Sequence, residues 1–450
     1  MRIPVKPPDF RETLDAVIKK SKDRIHKIVG AGIQAEPKGN YYHWDKLKHL
    51  KSPPNDLTNE EWWLGIKWTR QSIYQTIPHK AIDGSNFVFG ETHTVRRLLH
   101  EIDIHGGGEL KASAQVANPG SRDSYLINSL IEEAITSSQL EGAATTRKVA
   151  KEMLREKRKP RDRSERMIVN NYQAMEHLKE ISDQDLTPEL ILELQGILTK
   201  NTLDNTSAEG AWRDNDEIYV GDVRDATVIF EPPTYKEIPK RMESLCAFAN
   251  AVSTSEFLHP VIRATLLHFL LAYDHPFEDG NGRTARALFY WSMLRQNYWT
   301  MEFVSISRIL EKSPAKYMRS YLYTETDDND VTYFLLHQLQ VILRGIEELL
   351  EYLKKKTDEY REIEDIFRKS AELSSALNQR QVSALNRALK KPESIFTIES
   401  HRGSHRVTYQ TARTDLLKLS DLGLLEKSHR GNAFVFYPAQ NLREKLKRIG

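Results

Sequence analysis

Between His275 and Arg286 the chain reads HPFEDGNGRTAR, a short stretch dense in side chains that can do chemistry. His275 stands at a loop entrance, where an imidazole can take a proton from an incoming hydroxyl near neutral pH. Asp279 is a hard oxygen ligand of the kind that shares a magnesium ion with nucleotide phosphates. Gly280, Asn281 and Gly282 can turn successive backbone N–H groups toward one point, forming an anion-binding nest. Arg283 and Arg286 are three apart, so on a helix they share a face and can reach one polyanion. Each piece alone is ordinary loop structure. Together they describe a phosphate site with a base beside it.

The elements that must hold these residues are legible on either side. His259 to Tyr273 carries Ile262, Leu266, Phe269, Leu270 and Tyr273 at helical spacing, which predicts a buried helix. Pro276 discourages a helical conformation at His275 and so ends that helix. The run RTARALFYWSML resumes a helical pattern, which puts the glycine loop at a helix N-terminus, where free N–H groups and the dipole favour phosphate.

This segment resembles the signature of the Fic domain family, whose members move part of a nucleotide onto a protein hydroxyl. Ala285 stands where those proteins usually carry a small residue, often Gly or Ser. The resemblance implies a protein adenylyltransferase. In it His275 would be the general base toward a Ser, Thr or Tyr hydroxyl of a target protein, and Asp279 would hold Mg2+. Gly280, Asn281, Gly282 and Arg283 would cradle the α- and β-phosphates of ATP, and Arg286 would fix the γ-phosphate. The products would be an AMP-modified protein and pyrophosphate, by a route that is mainly positioning and charge stabilisation.

The same resemblance extends to three further places. SSQLEG, Ser137 to Gly142, closes a segment with helical spacing through Ile127, Leu130, Ile131 and Ile135. Ser137, Glu141 and Gly142 fit the family's inhibitory helix motif, which implies that Glu141 salt-bridges Arg286 and blocks productive ATP binding. EIYVGDVRDATVIFEPP, Glu217 to Pro233, has two β-rich runs around a polar DVRD and ends in Pro-Pro, which predicts a β-hairpin. In the family such a hairpin is a flap whose strand edge aligns an extended target segment, and Val220 and Gly221 are its candidate nucleotide contacts. Tyr317, in the run KYM, resembles an aromatic position near the adenine.

With 450 residues the chain is too long for one core. Its 39% hydrophobic and 28% charged residues are those of an ordinary globular protein. The beginning, MRIPVKPPDFRETLDAVIKK, lacks the apolar run of a signal peptide, and no long uncharged apolar segment follows. Cys246 is the single cysteine, which excludes an intramolecular disulfide and a thiolate metal cluster. These features lead us to expect a cytoplasmic protein with no membrane contact. Trp44, Trp62, Trp63 and Trp68, four of seven tryptophans, argue for an ordered helical core near the N-terminus, the alternative being an aromatic partner surface.

Charge is uneven along the chain. Residues 371–450 hold 14 Lys and Arg against 7 Asp and Glu, while the remainder holds 51 against 56, so a basic tail follows a mildly acidic body. The tail reads as a helix near Asn378 to Leu389, a loop, a helix from Thr408 to Leu422, a stop at Gly423, and two β-rich runs around a basic turn, His429 to Asn432. This order resembles a winged helix-turn-helix, with Thr408, Tyr409, Gln410, Thr411 and Arg413 opening the recognition helix. DNA is then an expected partner, the alternative being protein contacts or dimerisation. Val331 to Phe367 has Leu335, Leu339, Ile342, Ile346, Leu349, Leu350 and Leu353 at helical spacing, a packed helix or a homodimer seam.

The expected architecture is mainly α: a Fic-type helical bundle with a β-hairpin flap and a C-terminal winged helix-turn-helix. Its parts are an N-terminal helical region (1–115), a catalytic domain (116–330) with the inhibitory helix near 123–142, a helical linker (331–370) and the tail (371–450). Two other functions fit the residues: removal of AMP or transfer of another phosphate-containing group at the same site, and a DNA-binding regulator whose core only senses nucleotide.

Overall fold

A computed structural model describes residues 2–106, 119–222, 227–250, 257–368, 377–390, 393–430 and 433–448. In chain order the principal helices are α1 (Asn59–Gln71), α2 (Pro119–Leu140), α3 (Arg147–Glu156), α4 (Pro188–Thr199), α5 (Ile238–Asn250) and α6 (Pro260–Asp274). They continue with α7 (Asn281–Arg295), α8 (Pro314–Thr326), α9 (Thr332–Arg368), α10 (Gln379–Lys390), α11 (Ile398–His405) and α12 (Tyr409–Asp421). Among the described residues seven strands form three small antiparallel sheets: β1 (Tyr74–Lys80) with β2 (Asn86–Gly90), β3 (Val220–Asp222) with β4 (Thr227–Phe230), and β5 (Phe396–Thr397), β6 (Leu425–Arg430) and β7 (Ala433–Pro438) in the order β5-β7-β6. The fold is therefore mainly helical. No helix among the described residues is long and apolar enough to cross a membrane.

The chain divides into two compact units. The first comprises residues 1–106, 173–299 and 306–344. Its centre is α6, which starts with Pro260 at a position that needs no amide donor and buries side chains on all its faces. All five residues that predict this helix are buried in it. Near the N-terminus α1 opens with a capping box, Thr58 and Glu61 each accepting from the other's backbone N–H. Trp44, Trp62 and Trp63 pack into one cluster with Leu47 and Ile66, whereas Trp68 is partly exposed and meets Phe10 edge-on. The β1–β2 hairpin is not anticipated by the sequence reading. Its YQTIPHK strand is mostly polar and contains Pro78, both of which obscure the alternation that marks a strand.

The second unit comprises residues 107–172, 300–305 and 345–450. Ile127, Ile131 and Ile135 of α2 pack with Ala150 and Met153 of α3 and with Ile168. The C-terminal core gathers Leu385, Phe396, Ile398, Leu416, Leu419, Leu425 and Phe436 from α10, α11, α12 and the three-stranded sheet. α10 and α11 also pack on α2. The tail matches the expected order except that β5 and α11 occupy what reads as a loop. The stop at Gly423 is real, with φ +66. The basic turn keeps its flanking strands, β6 and β7, although residues 431–432 lie outside the described ones.

Candidate active site

α6 ends where Pro276 requires, and His275 caps it in the left-handed region, φ +47 and ψ +55. For a non-glycine residue this backbone costs about 1 to 3 kcal/mol and persists only where neighbours over-determine it. Arg213 is one such neighbour. Its backbone N–H donates to the Pro276 carbonyl at 2.9 Å and its Nε to the His275 carbonyl at 3.0 Å. The rest of its guanidinium reaches Asp216, the Asn215 carbonyl and the Pro233 carbonyl at the foot of β4. The imidazole itself places Nδ1 at 3.3 Å from the Ala272 carbonyl oxygen. A carbonyl only accepts, so this contact assigns the proton to Nδ1 and leaves Nε2 as the basic nitrogen.

The glycine loop braces itself. Asn281 is buried, its Oδ1 accepting from the Phe277 N–H at 3.0 Å and its Nδ2 donating to the Phe277 carbonyl at 2.8 Å. Arg283 is also buried, donating to the Leu198 carbonyl and to Asp279 Oδ1, each at 2.9 Å. Gly280 caps α7 with φ +90, and a Cβ there would stand 2.9 Å from the Thr199 methyl, so glycine is required on both conformational and steric grounds. The first intrahelical bond, from Thr284 N–H to the Gly280 carbonyl, is 2.8 Å. The opening N–H groups of α7 accordingly have no acceptor within the helix, which is the anion-binding property expected of this segment.

Arg286 is buried on α7, and its charge is felt by His268 of α6. Burial first, then Arg286 and His337, push the His268 imidazole down to about 3. His268 Nε2 lies 2.8 Å from the Tyr317 hydroxyl on α8, which in turn lies 3.1 Å from the Tyr321 hydroxyl. Tyr317 is thereby placed in the Arg286 neighbourhood. Val220 and Gly221 lie on β3, opposite Phe230 and Val228, and Phe230 packs on Tyr273 with ring centroids 4.8 Å apart. The hairpin's foot therefore sits against the end of α6, while residues 223–226 at its tip lie outside the described ones.

A magnesium ion, were one bound here, would take Asp279 as its protein carboxylate, with phosphate oxygens and water completing its shell. Asp279 presents one partly exposed carboxylate, and no cluster of three metal-ligating side chains exists among the described residues. Such an ion would neutralise charge developing on the phosphates.

Ser137 is buried near the end of α2, and the chain then turns at Gly142, φ +93. The Ala143 N–H donates to the Ser138 carbonyl at 3.0 Å and the Gly142 N–H to the Gln139 carbonyl at 3.0 Å, closing the helix end and leaving Glu141 exposed at its tip. Glu141 belongs to the second unit and Arg286 to the first.

Arg213 and Gln195 escape the sequence reading. Gln195, fully buried on α4, donates to the Asp279 carbonyl at 3.0 Å and accepts from the Gly210 N–H at 2.5 Å. Neither sits near the motif in sequence, so no local signal marks them.

Residues 185–293, which span α4 to α7, match the Fic/DOC family. This stretch is similar to Fic domains. Over 67 residues the chain is 39% identical to a protein adenylyltransferase Fic of Nematostella vectensis, covering 15% of this chain and 16% of that protein. It is 33% identical over 86 residues to protein adenylyltransferase fic-1 of Caenorhabditis elegans, covering 18% and 17%. The match thus spans about a sixth of these curated relatives. Among solved structures, a Fic family protein from Desulfovibrio desulfuricans G20 aligns over 77% of this chain and 96% of its own, with 18% identity and a TM-score of 0.49.

Proposed function

We propose that this chain is a protein adenylyltransferase that moves AMP from ATP to a Ser, Thr or Tyr hydroxyl of another protein. The observation that carries the reading is the His275 Nδ1 contact with the Ala272 carbonyl, which makes Nε2 a base at the mouth of a helix N-terminus. The target hydroxyl gives its proton to Nε2 and its oxygen bonds to the α-phosphorus. The bond from that phosphorus to the bridging oxygen breaks, and pyrophosphate leaves. α7's opening N–H groups and Arg286 bind the phosphates, with Asp279 holding Mg2+. Because Asn281 and Arg283 brace the loop from within, their part in phosphate binding is to shape the backbone cradle.

Glu141 is the proposed brake, competing with the γ-phosphate for Arg286, and the sequence motif supports it. Val220, Gly221 and Tyr317 are the proposed nucleotide contacts. The site and the 371–450 tail are proposed to work in the cytoplasm.

The tail is proposed to be a winged helix that binds DNA. Thr408, Tyr409 and Gln410 are exposed at the start of α12, and Lys427, His429 and Arg430 are exposed along β6, a basic polar face suited to groove and phosphate contacts. DNA binding that weakens steeply with salt supports this part, and salt-insensitive or absent binding refutes it.

The deciding experiment uses wild type, Glu141→Gly and Glu141→Gly/His275→Ala proteins with Mg2+ and ATP labelled on the α- or the γ-phosphate. α-Label on protein only with Glu141→Gly and intact His275 is the expected result. γ-Label would indicate a kinase. No label in any variant, despite nucleotide binding, would favour AMP removal or a nucleotide-sensing DNA regulator.

A further inference from the structure

Asp274 immediately precedes His275 and is 0% exposed, a rare setting for a carboxylate unless it is paired. Two side chains from distant parts of the first unit grip it. Arg241 of α5 donates through Nε to Oδ1 at 2.7 Å, with Nη2 at 2.6 Å from the same oxygen. His79 of β1 places Nε2 at 2.8 Å from Oδ2 and is itself buried. Arg241 also donates to the Lys80 carbonyl at 2.7 Å, so α5, β1 and the end of α6 meet at one carboxylate. Beside it, the Tyr273 hydroxyl accepts from the Ile82 N–H at 3.2 Å, and the Tyr273 ring meets Phe87 edge-on at 4.9 Å. The β1–β2 hairpin therefore holds both of the last two residues of α6.

Stability alone is a poor explanation for this arrangement. Apolar residues of similar volume often serve a core as well as a buried ion pair or better. What hydrogen-bonded charges add is direction, because partners on both carboxylate oxygens fix the carboxylate's orientation and with it the backbone that follows. The next residue is the one held at φ +47. Arg213 restrains His275 and Pro276 from the downstream side. Upstream, the restraint is Asp274.

We propose that Asp274, clamped by Arg241 and His79, is the positioning residue of His275. It fixes the end of α6 so that the imidazole keeps Nδ1 on the Ala272 carbonyl and turns Nε2 toward the hydroxyl to be deprotonated. This rests on the reading of His275 as the base.

The test compares Asp274→Ala and Asp274→Asn with the parent in the Glu141→Gly background, reading kcat, the KM for ATP, and the side-chain nitrogen resonances of His275 in 15N-histidine-labelled protein. Asn keeps an acceptor for Arg241 and nearly the same shape. A slight misplacement of the base should lower kcat of Asp274→Ala by roughly 30- to 100-fold and that of Asp274→Asn by less, roughly 3- to 10-fold. The KM for ATP should stay within about twofold in both, since the nucleotide is bound by α7. The parent His275 should show a single tautomer protonated on Nδ1, and Asp274→Ala a mixture. Parent-like kcat per folded molecule together with an unchanged tautomer overturns the proposal. Should Asp274→Ala not fold, Asp274→Asn is judged by the same two criteria. Should the parent transfer no label, the adenylyl-transfer reading falls, while the tautomer comparison still decides the clamp.

Discussion

Two buried aspartates, one in each unit, are gripped by the same pair of residue types and hold very different things. Asp274 takes Arg241 and His79 and lies one residue from the candidate base. Asp415, on α12, takes Arg380 through Nε at 2.7 Å, Asn378 at 2.7 Å and His401 Nε2 at 3.3 Å. Through these partners it ties α10 and α11 to α12, far in sequence from any residue of the motif. Burial works against the Asp415 charge, yet hydrogen bonds from His401, Arg380 and Asn378 hold its carboxyl well below the usual carboxylate range. The same chemical clamp thus serves a strained loop in one unit and a helix junction in the other. Its function is set by what its aspartate is joined to, and not by the clamp.

All seven tryptophans lie in the first unit, so tryptophan fluorescence follows that unit alone, whereas circular dichroism follows both. The largest effect should come from the group beside the first clamp: His275→Ala in the Glu141→Gly background should lower AMP transfer by roughly 10²- to 10⁴-fold, with both unfolding transitions unmoved. A drop accompanied by lost fluorescence stability would make His275 a structural cap instead.

Next in size is the second clamp. Asp415→Ala should destabilise the C-terminal helices by about 3 kcal/mol, the low end for a broken buried pair because Arg380 keeps some of its side chain in water. Circular dichroism should show the loss and tryptophan fluorescence should not. Transfer activity of the folded first unit should be retained, and matching losses in both signals would erase the distinction.

Acid should separate the units as well. In the first unit, burial lowers the imidazoles of His268 to about 3 and of His43 and His337 to about 4. Below the ordinary value of about 6.5 the unfolded chain takes up protons that these folded histidines refuse. Their contribution is therefore complete above that pH and declines by up to about 2 kcal/mol apiece on reaching pH 5. Glu325, raised to about 8 by burial, acts in the opposite sense and offsets roughly one of them. Asp415 is depressed instead, so its contribution is complete above the unfolded value and is lost only as the pH falls below about 4. Urea midpoints by fluorescence should decline between pH 6.5 and 5, while the C-terminal circular dichroism transition holds until about pH 4. Simultaneous decline would contradict the assignment.

The smallest expected effect is at a side chain that supports the loop without charge. Gln195→Ala removes the partners of the Asp279 carbonyl and the Gly210 N–H, and should cost about 1 to 3 kcal/mol in the fluorescence transition. A shift in the C-terminal transition instead would place Gln195 in the wrong unit.

Much of the site was legible because its meaning is local. HPFEDGNGRTAR carries its own helix stop, its own glycine at a left-handed position and its own internal braces, all within i to i+4. The end of α2 at Gly142 and the start of α12 at Thr408 were legible for the same reason, since a positive-φ glycine and a capping threonine act on their own backbone. The polar β1 strand and the short α11 were not. Their periodicity is weak and packing decides them.

By itself the amino-acid sequence determined the helical character of the chain, the loop that joins α6 to α7, and which residues are candidates for phosphate binding and proton transfer. Each of those depends on backbone preferences and spacings that operate over a few residues. The tertiary structure alone decided which nitrogen of His275 is basic and which remote side chains, Arg213, Gln195, Arg241 and His79, hold the loop. The nitrogen is set by a carbonyl three residues back, whereas the remote side chains reach the loop through hydrogen bonds that join residues tens to nearly two hundred positions apart. No local rule of sequence encodes which of them will meet.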